Sequence, residues 1–150
     1  MKGKTGEGRV RRQPARGVLA ARRNRALQNA RREVAFLQRV LDAIPSPVYL
    51  KDLDGRYRVC NEAFARFLGR DGAEIIGRTV QEITAEDTAR RHEEIDRQLL
   101  AGFRAPLDGS GWVEYESDLA SAAHEMTHGI SRKAVMKDES GAALGVVGTV

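Results

Sequence analysis

The sequence predicts an α+β domain, an antiparallel sheet with helices packed on one face. Three observations carry that class. Residues 48–60 read as two strands around a turn, residues 61–101 show helical periods and caps, and residues 112–150 return to strand-like alternation. A helix with a seven-residue repeat precedes the whole.

Taken in order, Met1 to about Gly17 is rich in Gly, Lys and Arg, contains Pro14 and has no hydrophobic period, so a disordered basic leader is expected over 1–17. An amphipathic or coiled-coil helix is expected over 18–44. Leu27, Val34 and Leu41 fall seven apart, and Ala30, Leu37 and Ile44 repeat three residues behind them. Leu27, Val34, Leu37, Leu41 and Ile44 are therefore the candidate dimer seam, although a helix laid on its own domain would show the same stripe. Pro45 and Pro47 end the helix, and the domain proper is expected over 45–150.

Val48-Tyr49-Leu50 and Tyr57-Arg58-Val59-Cys60 flank the turn residues Asp52-Leu53-Asp54-Gly55, which makes a β-hairpin. Asn61 is a good N-cap for a short helix carrying Phe64, Phe67 and Leu68, with Gly69 as its C′ residue. Ile75, Ile76 and Gly77 suggest another helical turn. Thr84 is expected to cap a longer helix that has Glu86 and Asp87 in its first turn and stops near Gly102. Trp112–Leu119, 130–137 and 143–150 are the closing strands, the last two joined by Asp138-Glu139-Ser140-Gly141.

Composition narrows the function classes. The chain has 150 residues, 41% hydrophobic and 31% charged, the balance of a globular domain. No apolar run approaches the roughly 20 residues that span a bilayer, and no signal peptide is evident. One cysteine, Cys60, permits neither an internal disulfide nor a cysteine zinc site. A cytoplasmic location follows by elimination. Residues 1–25 carry nine Lys/Arg against Glu7, or +8, whereas residues 26–150 carry 16 against 20 acids, or −4. The basic leader is the one feature suited to nucleic acid or an anionic surface. It holds no aromatics to stack on bases, so a solvated leader is the plainer expectation.

Residues 42–150 resemble the PAS family, the sensory module of bacterial signalling proteins such as sensor histidine kinases and cyclic-dinucleotide enzymes. The resemblance lies in Ile44-Pro45-Ser46-Pro47-Val48-Tyr49-Leu50-Lys51-Asp52, Asp54-Gly55-Arg56-Tyr57, Asn61-Glu62-Ala63-Phe64 with Leu68-Gly69, and Ile76-Gly77-Arg78-Thr79. It continues through Lys133-Ala134-Val135 to Gly141 and Gly145-Val146-Val147-Gly148-Thr149-Val150. It implies a five-stranded antiparallel sheet with helices on one face, a small-ligand cavity between them, dimerisation through the preceding helix, and no catalysis. An effector would lie outside this sequence, which stops before the linker that usually follows the last strand. The segment 119–129 departs from the family's usual strand connection.

Several constellations compete with the sensory reading. His124-Glu125-Met126-Thr127-His128 matches the zinc-protease pattern, which needs both histidines on one helix face and Glu125 as base. A third ligand is not available after Glu139, Gly129 would break the helix, and on a strand the two histidines would stand about 13 Å apart. A metal site at His124, Glu125 and His128 is therefore rejected, and a zinc hydrolase stays only as an alternative. His92 shares a stripe with Ala89, Ile95 and Leu99. The resemblance places that helix beside the cavity and makes His92 a candidate haem ligand; the plainer reading is a histidine hydrogen-bonded at the stripe's edge. Ligand-pocket candidates are Phe64, Phe67, His92, Ile95 and Leu99. No cofactor is the first expectation. Flavin is not expected, because the reactive-cysteine motif of flavin photosensors is missing and Cys60 reads as a small buried hydrophobe. Trp112 and Tyr115 suit either core packing or stacking on a flat ligand.

Overall fold

The computed structural model describes residues 16–102, 111–120 and 126–150, with backbone alone at Arg16, 117–120 and 126–128. The basic leader up to residue 15 lies outside the described residues, as do His124 and Glu125. The elements run α1 (Arg16–Asp42), β1 (Val48–Asp52), β2 (Tyr57–Cys60), α2 (Glu62–Leu68), α3 (Gly72–Ile75), α4 (Val80–Ile83), α5 (Glu86–Leu100), β3 (Val113–Ala120), β4 (Met126–Lys137) and β5 (Ala143–Thr149). The chain forms two units, one reaching to Leu37 and a body from Gln38 to Val150. In the first, Leu27, Val34 and Leu37 are exposed on α1.

In the body, the five strands form one antiparallel sheet in the order β2-β1-β5-β4-β3. The first and last segments of the domain therefore pair at its centre, from Val48↔Thr149 to Asp52↔Gly145. Tyr49 and Lys51 of β1 point inward, as do Ser131 and Lys133 of β4 and Val146 of β5. Tyr49, Tyr57 and Phe64 form an aromatic cluster, with ring centroids 4.8–5.5 Å apart. Around it pack Cys60, Ile75, Val80, Ile83 and Ala89. A second cluster joins Ile95 and Leu99 of α5 to Val146, flanked by Val113, Tyr115 and Val135.

Two boundaries differ from the sequence expectation. Helix α1 ends at Asp42 rather than Ile44, because Pro45 disfavours helical backbone at the residue before it. Thr84 does not cap the long helix. Its hydroxyl donates to the Val80 carbonyl at 2.9 Å, closing α4, and Ala85 takes the N-cap position of α5. Thr84 was the better cap by residue type, but the preceding short helix had already engaged its side chain. Of the segment 119–129, expected as an inter-strand connection, the described residues 119–120 and 126–129 belong to the ladder, β3 and β4 pairing from Val113↔Lys133 to Ala120↔Met126.

Asn61 fixes the entry to the domain. Its Oδ1 accepts from the backbone N–H of Val48 and of Phe64, both at 2.9 Å, which caps α2 and anchors β1. Its Nδ2 donates to the carbonyls of Leu41, Ile44 and Ser46 at 2.9–3.2 Å. The last turn of α1, the proline loop and the first strand are thus tied to one amide. Gln38 adds a bond from its Nε2 to the Cys60 carbonyl at 3.0 Å.

Candidate functional site

The inner face of the sheet carries charge where a core would normally be apolar. Asp96, on α5 one turn beyond His92, lies between Lys51 of β1 and Lys133 of β4. The Lys51 Nζ donates to Asp96 Oδ2 at 2.8 Å and the Lys133 Nζ to Asp96 Oδ1 at 2.5 Å. The lysine side chains are 2% and 0% exposed, and the aspartate's is 12% exposed. Lys133 also donates to the His92 carbonyl at 3.2 Å. Tyrosine rings close the assembly: Lys51 Nζ lies 5.1 Å from the Tyr57 ring centre and 5.7 Å from that of Tyr49, and Lys133 Nζ lies 5.7 Å from that of Tyr115.

Burial and charge act against each other here. Burial alone would raise the Asp96 carboxyl, but the two neighbouring ammoniums outweigh it and hold its pKa below the ordinary value. Burial pulls the Lys133 ammonium down to about 8; the Asp96 carboxylate opposes that shift and the Lys51 charge adds to it. His92 is lowered to about 3, first by burial and then by Lys133 and Lys51, so its imidazole is neutral at physiological pH. Its Nδ1 lies 3.1 Å from the Tyr115 hydroxyl, with the rings edge-on at 6.1 Å. Burial also raises the phenols of Tyr49 and Tyr57. The Cys60 thiol is pushed up by burial and by Asp42, which fits its place in the apolar cluster.

A cleft of about 280 Å³ opens onto this assembly between α5 and the β1–β2 turn. Buried Lys51, Asp96 and Val146 line it with half-buried Asp52, Glu93 and Leu100 and exposed Asp54 and Arg97. A wider groove of about 570 Å³ runs over α2 and α3, lined by Glu62, Arg66, Arg70 and Asp71 among others. It is broader, but those four side chains are exposed, whereas the cleft reaches a buried charge.

The sequence candidates divide between these regions. Ile95 and Leu99 come together with Val146, which lines the cleft. His92 turns its Nδ1 to the Tyr115 hydroxyl. Phe64 belongs to the other cluster, with Tyr49 and Tyr57, and Phe67 is half-buried. Trp112 is exposed and precedes β3, while Tyr115 faces inward. His128 lies in β4, opposite Asp118, on extended backbone rather than the helix a zinc-protease motif requires. Sequence reasoning missed Lys51, Asp96 and Lys133. Asp96 could have been found, since it sits four residues after His92 and three before Leu99 on the inward stripe.

The model of the PAS fold family matches residues 41–150. The chain belongs to the PAS family. It is therefore a sensory-type domain, and its sheet and helices are those of the family. It is 30% identical over 83 residues to the virulence sensor protein BvgS of Bordetella bronchiseptica; the match covers 55% of this chain but only 7% of that much longer protein. The solved PAS domain of Bordetella pertussis BvgS superposes with a TM-score of 0.60 at 21% identity, covering 78% of this chain and 83% of that one. The ligand–DNA complex of VqmA from Vibrio cholerae superposes with a TM-score of 0.62 at 18% identity, covering 79% of this chain and 49% of that one. At such identities the structural likenesses establish the fold alone. Among the described residues, no helix is long and apolar enough to cross a membrane.

Proposed function

We propose that this PAS domain is the sensing and dimerising module of a cytoplasmic signal-transduction protein, that it binds a small molecule in the α5 cleft, and that it performs no chemistry itself. The observation that carries the reading is the cleft whose lining sets buried Lys51 and Asp96 beside apolar Leu100 and Val146. Such a mixture of apolar lining with a few placed polar groups is what small-ligand sites share. The structural relative VqmA, solved with a ligand, supports it. So does the sensor BvgS, whose PAS segment this chain matches.

The route out of the site follows from the same contacts. Asp96 ties α5 to both β1 and β4, so a ligand that engages the cluster changes how the helix is held on the sheet. A ligand acts only through its different affinity for the two packings. The change would reach the last turn of α1 through β1 and Asn61. The exposed seam at Leu27, Val34 and Leu37 would carry it to a second copy, and from there to an effector.

Native mass spectrometry and an absorbance scan of freshly purified protein test for a retained ligand. A thermal-shift screen then tests for binding, with Leu100→Trp as the variant that fills the cleft. A compound should raise the melting temperature of the wild type and not that of Leu100→Trp. If no mass is retained and no compound shifts the wild type, small-molecule sensing falls, leaving dimerisation.

A further inference from the structure

The buried cluster holds one more positive charge than negative. Two lysines face one aspartate, and the neutral His92 adds no charge. The two ammoniums offer six N–H donors. Their acceptors among the described residues are Asp96 Oδ2 for Lys51, and Asp96 Oδ1 and the His92 carbonyl for Lys133. Among the described residues Lys51 thus has one hydrogen-bond acceptor, with the Tyr57 and Tyr49 rings 5.1 and 5.7 Å from its Nζ. A buried cation with unfilled donors is costly, and a nearby anion relieves it. Lys51 is also the lysine that lines the cleft, beside Leu100 and Val146.

From this arrangement we infer that the cleft takes a small organic monoanion, a carboxylate on an apolar body, whose oxygens fill the open donor positions of Lys51. The inference rests on the sensory reading above and names its ligand class. The apolar body lies against Leu100 and Val146. The rest of the lining sets the charge limit, because Asp54 and Glu93, and Asp52 in its ion pair with Arg58, stand there against Arg97 and repel a second negative group. The bound carboxylate shares Lys51 with Asp96 and loosens that arm of the Asp96 tether, while the Lys133 arm remains. Binding is thereby converted into a change in how α5 is held.

Matched acids and amides test the assignment, with the full chain at constant ionic strength followed by thermal shift and calorimetry. Benzoate is compared with benzamide, butyrate with butyramide, and succinate with butyrate. The acids should bind about threefold to thirtyfold more tightly than their amides, the ratio that separates a charged from a neutral hydrogen bond. Succinate should bind more weakly than butyrate. Lys51→Met should bring the acids down to the level of the amides, and Lys51→Arg should retain the preference. Equal affinity of acid and amide in both pairs overturns the inference, as does an acid response that survives Lys51→Met. Saturable binding of the amides alone would remove the anion assignment and leave ligand sensing standing, whereas silence in both classes would remove both. Should Lys51→Met fail to fold, the acid-to-amide ratio of the wild type decides by itself.

Discussion

Replacing Asp96 with Asn should be far more damaging than replacing either lysine it holds. The native cluster carries a net charge of +1 behind side chains that are at most 12% exposed. Asp96→Asn keeps the shape and raises that charge to +2, so both ammoniums lose their anionic partner at once. Removing one partner from a buried ion pair typically costs about 3–5 kcal/mol, and this carboxylate serves two. A domain of this size with an ordinary stability of about 5–15 kcal/mol would stay folded but weakened. The melting temperature should fall by roughly 10–20 °C. Lys51→Met works the other way, because it leaves Asp96 and Lys133 as a balanced pair and puts an apolar chain among Tyr49, Tyr57 and Val146. Its cost should lie within about 1.5 kcal/mol of wild type, and either sign is consistent with exchanging a buried charge for packing. Urea denaturation followed by circular dichroism gives both values, provided the slope with denaturant is unchanged. Two results would refute the reasoning: Asp96→Asn within about 1 kcal/mol of wild type, or Lys51→Met costing more than Asp96→Asn.

Three further outcomes can be measured on the same protein. The folded-state pKa of Lys133, about 8, is below the ordinary lysine value of 10.5, so the unfolded chain binds more protons between them. Stability should therefore rise with pH from about 7.5 to 9, and Lys133→Met should flatten that slope, as read by denaturant midpoints. Asn61→Ala removes the α2 cap and strips partners from Val48 N–H and from three carbonyls, so it should cost about 3 kcal/mol by denaturation. Val34→Glu with Leu37→Glu should turn a dimer into a monomer in analytical ultracentrifugation, since buried like charge would face itself across the seam. A wild type that is monomeric at tens of micromolar would sink the seam.

The fold was legible because its local signals agreed with one another. The turn at Asp54-Gly55, the cap at Asn61, the C′ glycine Gly69, the stripe Ala89–Ile95–Leu99 and the paired closing strands all stand where the residue types put them. Of the candidate site, the sequence made legible the helix that carries it, through the stripe at His92, Ile95 and Leu99, but not the residues that line the cleft. Its charged side was hidden by register. Lysine on a strand is ordinarily read as solvent-facing, and in β4 the alternation is inverted, with Ser131 and Lys133 inward and Ile130 and Arg132 exposed. Only the pairing Lys133↔Gly148, with Tyr49 opposite the same glycine on the other side, fixes which face is which. Gly148 is needed there because a Cβ would run into the Tyr49 ring. The placing of Phe64 was hidden for a related reason: its helix faces the Tyr49–Tyr57 end of the core, a long-range choice that helical spacing does not encode.

The Asn61 amide also sets a rule for anyone joining this domain to another protein. Its Nδ2 holds carbonyls at positions 41, 44 and 46, while Oδ1 holds the amide at 48, so the connection between α1 and β1 is gauged by one side chain of fixed length. Adding or deleting a residue between Asp42 and Val48 would move some of those groups out of reach and leave the others, splitting the clamp. A splice placed upstream of Gln38 leaves every one of those partners in place. In chimeras that exchange the helix for one from another signalling protein, the junction should therefore fall before Gln38. Heptad phase can then be varied residue by residue without disturbing the entry to the sheet.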